Sequence, residues 1–109
     1  MSKGKRLTST VTSDSTVHLR IEEFEVPTPG PDEVLIAVEA SPINPSDLGL
    51  LLAGAHPSTA SKSENGLTLS LPDGAIDALT ARIDQAMPVG NEGAGTVIDT
   101  GDEEQARAL

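Results

Sequence analysis

Alternating apolar and polar residues predict an antiparallel pair of strands near the start of the chain. Between Thr16 and Ile21 every second residue, starting with Val17, is apolar, which is the period-two pattern of a half-buried strand. The short polar residues 13–15 are typical of a tight turn, because such side chains bond to nearby backbone groups. We therefore expect a hairpin between this strand and the run that precedes it.

Three further segments have the composition of strands. In residues 33–41 apolar side chains fall on both faces, which predicts a strand covered on both sides along its middle. Residues 27–31 are rich in proline and cannot donate most of their backbone N–H groups to a ladder, so they are expected to form a connection. Residues 67–71 alternate again, and residues 96–99 follow a glycine-rich turn. The chain is accordingly predicted to be mainly β with minor α.

An amphipathic helix is expected over about residues 74–87. Four apolar residues recur there at the spacing of one helical stripe: Ile76, Leu79, Ile83 and Met87. Pro88 is expected to end this helix. Small and polar residues dominate the preceding stretch and cannot bury enough apolar area to offset the entropy of ordering them, so about residues 53–66 are expected to form a flexible insert.

Composition narrows the class of protein and of partner. The 109 residues suit one domain with a modest aliphatic core, because Phe24 is the one aromatic residue. With 7 Lys and Arg against 17 Asp and Glu, the net charge of −10 is expected to repel nucleic acids and anionic membranes. Cysteine is absent, and no apolar run has the length of a signal peptide or a membrane span. A soluble, cytoplasmic protein is expected.

Two segments together resemble a known family. The first, residues 33–47, contains Ile-Asn-Pro-Ser-Asp, and the second, residues 88–95, contains Gly-Asn-Glu-Gly-Ala-Gly. At these residues the chain is similar to the GroES-like catalytic domain of the medium-chain dehydrogenase/reductase superfamily, and the two motifs occur in the order of that family. The resemblance spans about residues 5–101 and is weakest over residues 53–87. It implies that residues 1–109 form one GroES-like domain, a partly open β-barrel.

The resemblance also implies a zinc-free branch of the superfamily. In the zinc-dependent alcohol dehydrogenases the first motif supplies a cysteine ligand and the second a histidine ligand, but this chain has Asn44 and Asn91 at those positions. A neutral carboxamide is a poor zinc ligand, and His18 and His56 lie outside both motifs. We therefore expect no zinc and a likeness to the quinone and enoyl reductases, which use NADH or NADPH.

In that branch the first motif lies beside the nicotinamide and the substrate. The resemblance implies that Asn44 hydrogen-bonds the nicotinamide ribose or a substrate oxygen, and that Asp47 holds the turn of this cofactor-binding segment in shape. Asn91 and Glu92 are expected to line the substrate cleft from its other side. Hydride delivery to a quinone or an activated double bond is expected to rest on positioning and on polar groups that stabilise the developing charge, without a catalytic residue in this chain.

Simpler structural roles are open for the same residues. Asn44 is a good turn residue in any sequence, and Asp47 is well suited to cap a short helix over residues 48–52. Glu92 is as well suited to a structural or solvated carboxylate as to a site. The glycines of the second motif lack the spacing of a dinucleotide fingerprint and precede a strand, so they are expected to serve a tight backbone crossing.

Two functions remain as alternatives. The first is the N-terminal domain of an NAD(P)H-dependent oxidoreductase whose Rossmann cofactor domain is absent from this chain, so that the chain alone is expected to bind no cofactor and to be inactive. Its partners would be a small-molecule substrate in the parent and, through apolar surface around residues 48–52 and 96–98, the cofactor domain or a second copy. The second is a free-standing GroES-like module that acts by interaction or assembly without catalysis.

Overall fold

The computed structural model describes residues 3–109. Strands account for 42% of the residues and helices for 21%, which confirms the predicted mainly β class. The strands are β1 (Lys3–Thr12), β2 (Thr16–Glu25), β3 (Val34–Ala40), β4 (Ser61–Ser63), β5 (Gly66–Ser70), β6 (Met87–Pro88) and β7 (Ala94–Thr100). The helices are α1 (Pro45–Leu52), α2 (Glu104–Arg107) and the 3₁₀ helices Pro57–Thr59 and Ala75–Arg82. Among these helices none has the length and apolar character needed to cross a membrane.

The strands form two sheets, and within residues 3–109 neither sheet closes into a barrel. One sheet has five strands in the order β4-β5-β2-β1-β6, and the other pairs β3 with β7. Internal contacts divide the chain into two compact units. We call residues 3–24 and 43–90 the sheet unit, and residues 25–42 and 91–109 the ribbon unit, after the two-stranded β3–β7 ribbon.

The apolar core lies in the sheet unit. The expected hairpin of β1 and β2 is confirmed, and β2 also pairs antiparallel with β5, with Val17 opposite Leu69. Val17 and Leu69 are fully buried together with Val11 of β1, while Ile21, at the far end of the same apolar row, is exposed. Residues of α1 and of the longer 3₁₀ helix pack against this core: Leu51, Leu52, Ala75, Ile76 and Leu79. Alternation along β2 therefore predicted the buried face correctly at its centre.

The helix expected over about residues 74–87 is shorter and of another type. It is a 3₁₀ helix over Ala75–Arg82, in which Ile76 and Leu79 pack against the core as the stripe predicted. The prediction was therefore right about the buried side of this segment and wrong about its length and hydrogen-bond pattern.

Pairing with β1 explains why the helix ends early. Ile83 forms a parallel bridge with Val11, and the Asp84 N–H donates to the Val11 carbonyl at 2.8 Å. Met87 then pairs with Ser9 in β6. These backbone bonds to β1 take the place of further helical bonds, so a tertiary contact overrides the local apolar pattern.

The segment predicted as a flexible insert contains local structure. Ala55 is buried in the core, the 3₁₀ helix Pro57–Thr59 follows it, and β4 pairs antiparallel with β5. Gly66 begins β5 beside β2, and a Cβ added there would lie 1.8 Å from the Leu19 carbonyl oxygen. The mobility of the segment stays a prediction.

The ribbon unit is built on the two strands predicted at residues 33–41 and 96–99. β3 pairs antiparallel with β7, with Ile36 opposite Val97 and Val38 opposite Gly95. The expectation that β3 is covered on both sides is wrong, because Ile36 and Val38 are exposed. Val38 lies opposite a glycine, which has no side chain to cover it. The backbones approach so closely there that a Cβ on Gly95 would lie 2.0 Å from the Ala37 carbonyl oxygen.

Candidate functional site

An open groove lies at one end of the β3–β7 ribbon. Ala40 pairs with Ala94, so the strand that ends in the first motif lies beside the strand that begins in the second. The groove has a volume of about 730 Å³ and is lined by Ala40, Ser41, Pro42, Asn91, Glu92, Gly93 and Ala94. Residues of both motifs, distant in sequence, therefore form one concave surface within the ribbon unit.

Asn91 and Glu92 belong to the turn that leads into β7. Gly90 before them has a φ of 103°, a conformation that favours glycine. Gly90 and Gly93 precede β7, Gly95 lies within it, and none of the three opens a helix. The predicted close backbone crossing is confirmed for Gly95 and not for Gly90, which has no atom within 4 Å of an added Cβ. The turn thereby places both polar side chains at the groove, where each is exposed.

Asn44 and Asp47 meet at the start of α1. Asn44 is the N-cap residue with extended backbone, and Pro45 fills the first helical position. The Asn44 N–H donates to Asp47 Oδ2 at 2.8 Å, and the Asn44 side chain accepts from the Asp47 N–H, which completes a capping box. Asp47 is buried by this arrangement. The helix begins at Pro45 and its N-cap is Asn44, so the expectation that Asp47 itself caps a helix over residues 48–52 is wrong in position. Asp47 takes part in the cap from the third helical residue, through its bond from the Asn44 N–H.

The four predicted site residues form two pairs. Asn44 with Asp47 belongs to the sheet unit, and Asn91 with Glu92 belongs to the ribbon unit. That both pairs serve one cleft stays a prediction. In the described part of the chain no three His, Asp or Glu side chains cluster as a metal-binding group.

A chain of hydrogen bonds across the β1–β2 turn was not anticipated from the sequence. Thr16 Oγ1 donates to Asp14 Oδ1 at 2.6 Å and lies 3.0 Å from His18 Nε2, while Thr68 Oγ1 lies 3.3 Å from His18 Nδ1. The Thr12 hydroxyl also donates to Asp14. These donors, Thr12 first and then Thr16, hold the pKa of Asp14 below its ordinary value. The alternation Thr-x-Asp-x-Thr-x-His was the available signal.

A second polar cluster lies inside the sheet unit. Arg82 Nη2 donates to Ser9 Oγ at 3.3 Å, and Ser9 Oγ donates to the Leu51 carbonyl at 2.7 Å. Burial lowers the pKa of Arg82. Ser9 thereby links β1 to α1 and to the longer 3₁₀ helix, which places the cluster in the packing of the core.

The sequence matches no protein-family model and no curated protein in the comparisons made with them. The resemblance to the medium-chain dehydrogenases and reductases therefore stays a prediction that rests on the two motifs. The groove at which their residues meet is the geometric observation that bears on it.

Proposed function

We propose that the chain is the substrate-side, GroES-like domain of a cytoplasmic, zinc-independent reductase of the medium-chain dehydrogenase/reductase superfamily, which reduces quinones or activated double bonds with NADH or NADPH. One observation carries the proposal: the β3–β7 register brings Ser41 and Pro42 of the first motif against Asn91 and Glu92 of the second. Two motifs of one active site are expected to converge in this way.

The groove suits a small carbonyl compound. Its volume of about 730 Å³ falls within the range of about 300–1,000 Å³ that is typical of small-molecule sites. A carboxamide such as that of Asn91 donates hydrogen bonds to a carbonyl oxygen. Negative charge develops on that oxygen when hydride adds to a quinone or an enone, so a donor there favours the transition state over the ground state.

The capping box gives Asn44 an oriented side chain. Its bond to the Asp47 N–H and the reciprocal bond from the Asn44 N–H to Asp47 fix both residues against α1. In the proposal Asn44 contacts the nicotinamide ribose, and Asp47 holds it in place. The nicotinamide, when bound, supplies the hydride, and the residues of this chain orient the acceptor.

Binding of a cyclic enone tests the groove. With ¹⁵N-labelled chain, 2-cyclohexenone is expected to shift the amide signals of residues 40–41 and 91–94 in the millimolar range. Asn91→Ala is expected to weaken this binding several-fold, because it removes the carboxamide donor. Asn65→Ala, in the exposed β4–β5 turn, is the matched control and should leave the binding unchanged. Shifts confined to other residues would contradict the assignment.

An activity measurement tests whether turnover requires a separate cofactor-binding domain. The isolated chain mixed with NADPH and the enone is expected to show no saturable NADPH oxidation, since the proposal assigns cofactor binding mainly to another domain. Saturable turnover by this chain alone would refute that part of the proposal and leave the groove assignment to be judged by the titration.

A second candidate function is an interaction or assembly module without catalysis. Exposed apolar side chains on both strands of the ribbon favour it: Ile36, Val38 and Ile98. Size-exclusion chromatography separates the two functions. A large ring that forms without enone binding favours the module, whereas a small species that binds the enone favours the reductase domain.

A further inference from the structure

The negative charge of the protein is concentrated in the ribbon unit. Residues 25–42 and 91–109 hold nine acidic residues and one basic residue, Arg107, which gives a net charge of −8. The larger sheet unit holds eight acidic and six basic residues, a net charge of −2. Acidic side chains of the ribbon unit are exposed before and along both strands: Asp32, Glu33, Glu39, Glu92 and Asp99.

The same unit exposes large apolar side chains. Ile36 and Val38 of β3 are 48% and 65% exposed, and Ile98 of β7 is 61% exposed. Two strands alone bury too little apolar area to be stable in water without a further partner. In the described chain β3 and β7 pair with each other and with no third strand. Along β3, Ile36 and Val38 lie on one face of the ribbon, and Glu39 lies on the other face, beside Thr96 of β7. The ribbon therefore presents exposed apolar side chains within a strongly acidic unit.

The charge distribution selects the kind of partner. A second copy would bring a unit of net charge −8 against an identical unit, and like charges held close together oppose association. A cationic segment gains attraction from the same acidic residues and steering during its approach. We propose that the β3–β7 ribbon is a docking surface for a partner protein segment that carries Lys or Arg among aliphatic residues.

The two kinds of side chain have separate tasks in this docking. Ile36, Val38 and Ile98 supply the apolar contact that holds the complex together, because burial of apolar area is the main favourable term in association. The acidic residues, Glu39 and Asp99 among them, select a cationic partner and accelerate its binding. This surface is independent of the groove, since none of these five residues lines it.

Three synthetic peptides of equal length test the proposal on the intact chain. One alternates Val and Lys, one alternates Val and Glu, and one alternates Ser and Lys. The Val/Lys peptide is expected to bind at least tenfold more tightly than either of the others. Its affinity is expected to fall several-fold between about 50 and 300 mM NaCl, because salt screens the attraction.

Matched variants locate the contact. Val38→Thr and Ile36→Thr keep β-branched side chains and make the surface more polar, and each is expected to weaken Val/Lys binding about three- to tenfold. Ile21→Thr changes a similarly exposed isoleucine of β2 and should leave binding unchanged. Glu39→Lys should weaken binding and its salt dependence, whereas Glu64→Lys, in an exposed turn of the sheet unit, should not. Amide spectra of each variant verify that it is folded.

Four results of the peptide measurements would overturn the proposal. Two of them are equal affinity of the Val/Lys peptide and either of the other two peptides. The third is no binding of any peptide at millimolar concentration. The fourth is equal weakening of Val/Lys binding by the ribbon variants and their controls. Self-association that grows with salt and is abolished by Val38→Thr would assign the surface to a second copy, which also overturns it, because screening favours like-charged faces and weakens a cationic partner.

Discussion

The two compact units contain similar strands but differ in which side chains those strands bury. In the sheet unit, β1, β2 and β5 bury Val11, Val17 and Leu69 under two helices. In the ribbon unit, β3 and β7 leave Ile36, Val38 and Ile98 exposed, and the buried residues of that unit are the small Gly101 and Ala106. Branched residues in a strand therefore do not by themselves indicate a core.

The difference teaches where stability and recognition reside. Burial of aliphatic area is concentrated in the sheet unit, which should supply most of the free energy of unfolding. The ribbon unit carries the groove, the exposed apolar residues and most of the negative charge. A change in the first unit should therefore unfold the protein, while a change in the second should alter binding or local order.

Truncation of a core leucine should have the largest effect. Leu69→Ala is expected to lower the free energy of unfolding by about 2–5 kcal/mol, because it removes a fully buried side chain and leaves a cavity. Leu67→Ala, in the same strand at a position 38% exposed, is the matched control and should cost about 1 kcal/mol or less. Urea unfolding followed by circular dichroism measures both. Equal losses of unfolding free energy in the two variants would contradict the assignment of stability to this core.

A substitution where the two ribbon strands approach most closely should cause the second largest loss of stability. Gly95→Ala places a Cβ about 2.0 Å from the Ala37 carbonyl oxygen, so the strands must separate locally at a cost of about 1–3 kcal/mol. Gly49→Ala has no atom within 4 Å of its Cβ and lies inside α1, so it should stabilise the protein by about 0.5–1 kcal/mol. Hydrogen exchange of β3 amides measures the first change, and urea unfolding the second. Unchanged protection of β3 in Gly95→Ala would contradict the close approach.

Loss of the helix cap at Asn44 should have the third largest effect on stability. Asn44→Ala is expected to cost about 1 kcal/mol of stability, because it removes the side-chain half of the capping box. Asn44→Ser retains a good cap and should recover most of that loss while still lacking the carboxamide. Urea unfolding of both variants measures the two losses of stability. A serine variant as unstable as the alanine variant would contradict the capping role.

The smallest expected effect is a change in the pKa of one carboxyl group, that of Asp14. The folded pKa of Asp14 lies below the ordinary value of 3.8, so the stabilising effect of its carboxylate is present above that value and is lost as the pH falls through the lowered pKa. Thr12→Val should raise this pKa toward the ordinary value, because it removes the principal donor. Thr10→Val is the control. Carboxyl ¹³C titration by NMR measures the change, and an unaltered Asp14 pKa in Thr12→Val would contradict the assigned cause.

Local chemistry predicted the features that depend on neighbouring residues. The β1–β2 turn, β5 and the participation of Asp47 in the helix cap follow from short-range rules, and the structure contains each. Asn44 as the N-cap fits the turn role that the sequence left open beside the binding role.

Long-range pairing explains what the sequence did not reveal. The 3₁₀ helix ends at Arg82 because the following residues bond to β1, a partner that no local pattern identifies. The exposure of Val38 depends on Gly95 across the ribbon. The hydrogen bonds of His18 likewise join β2 to Thr68 of β5.

Residue-resolved hydrogen exchange tests the contrast between the two units most directly. Amides of Val11, Val17 and Leu69 are expected to exchange only through global unfolding, with the full free energy of unfolding. Amides of Ile36, Val38 and Val97 are expected to exchange through local opening at a clearly lower free energy. Equal protection of both groups would show that the ribbon is as firmly held as the core, and the proposed separation of stability from recognition would be wrong.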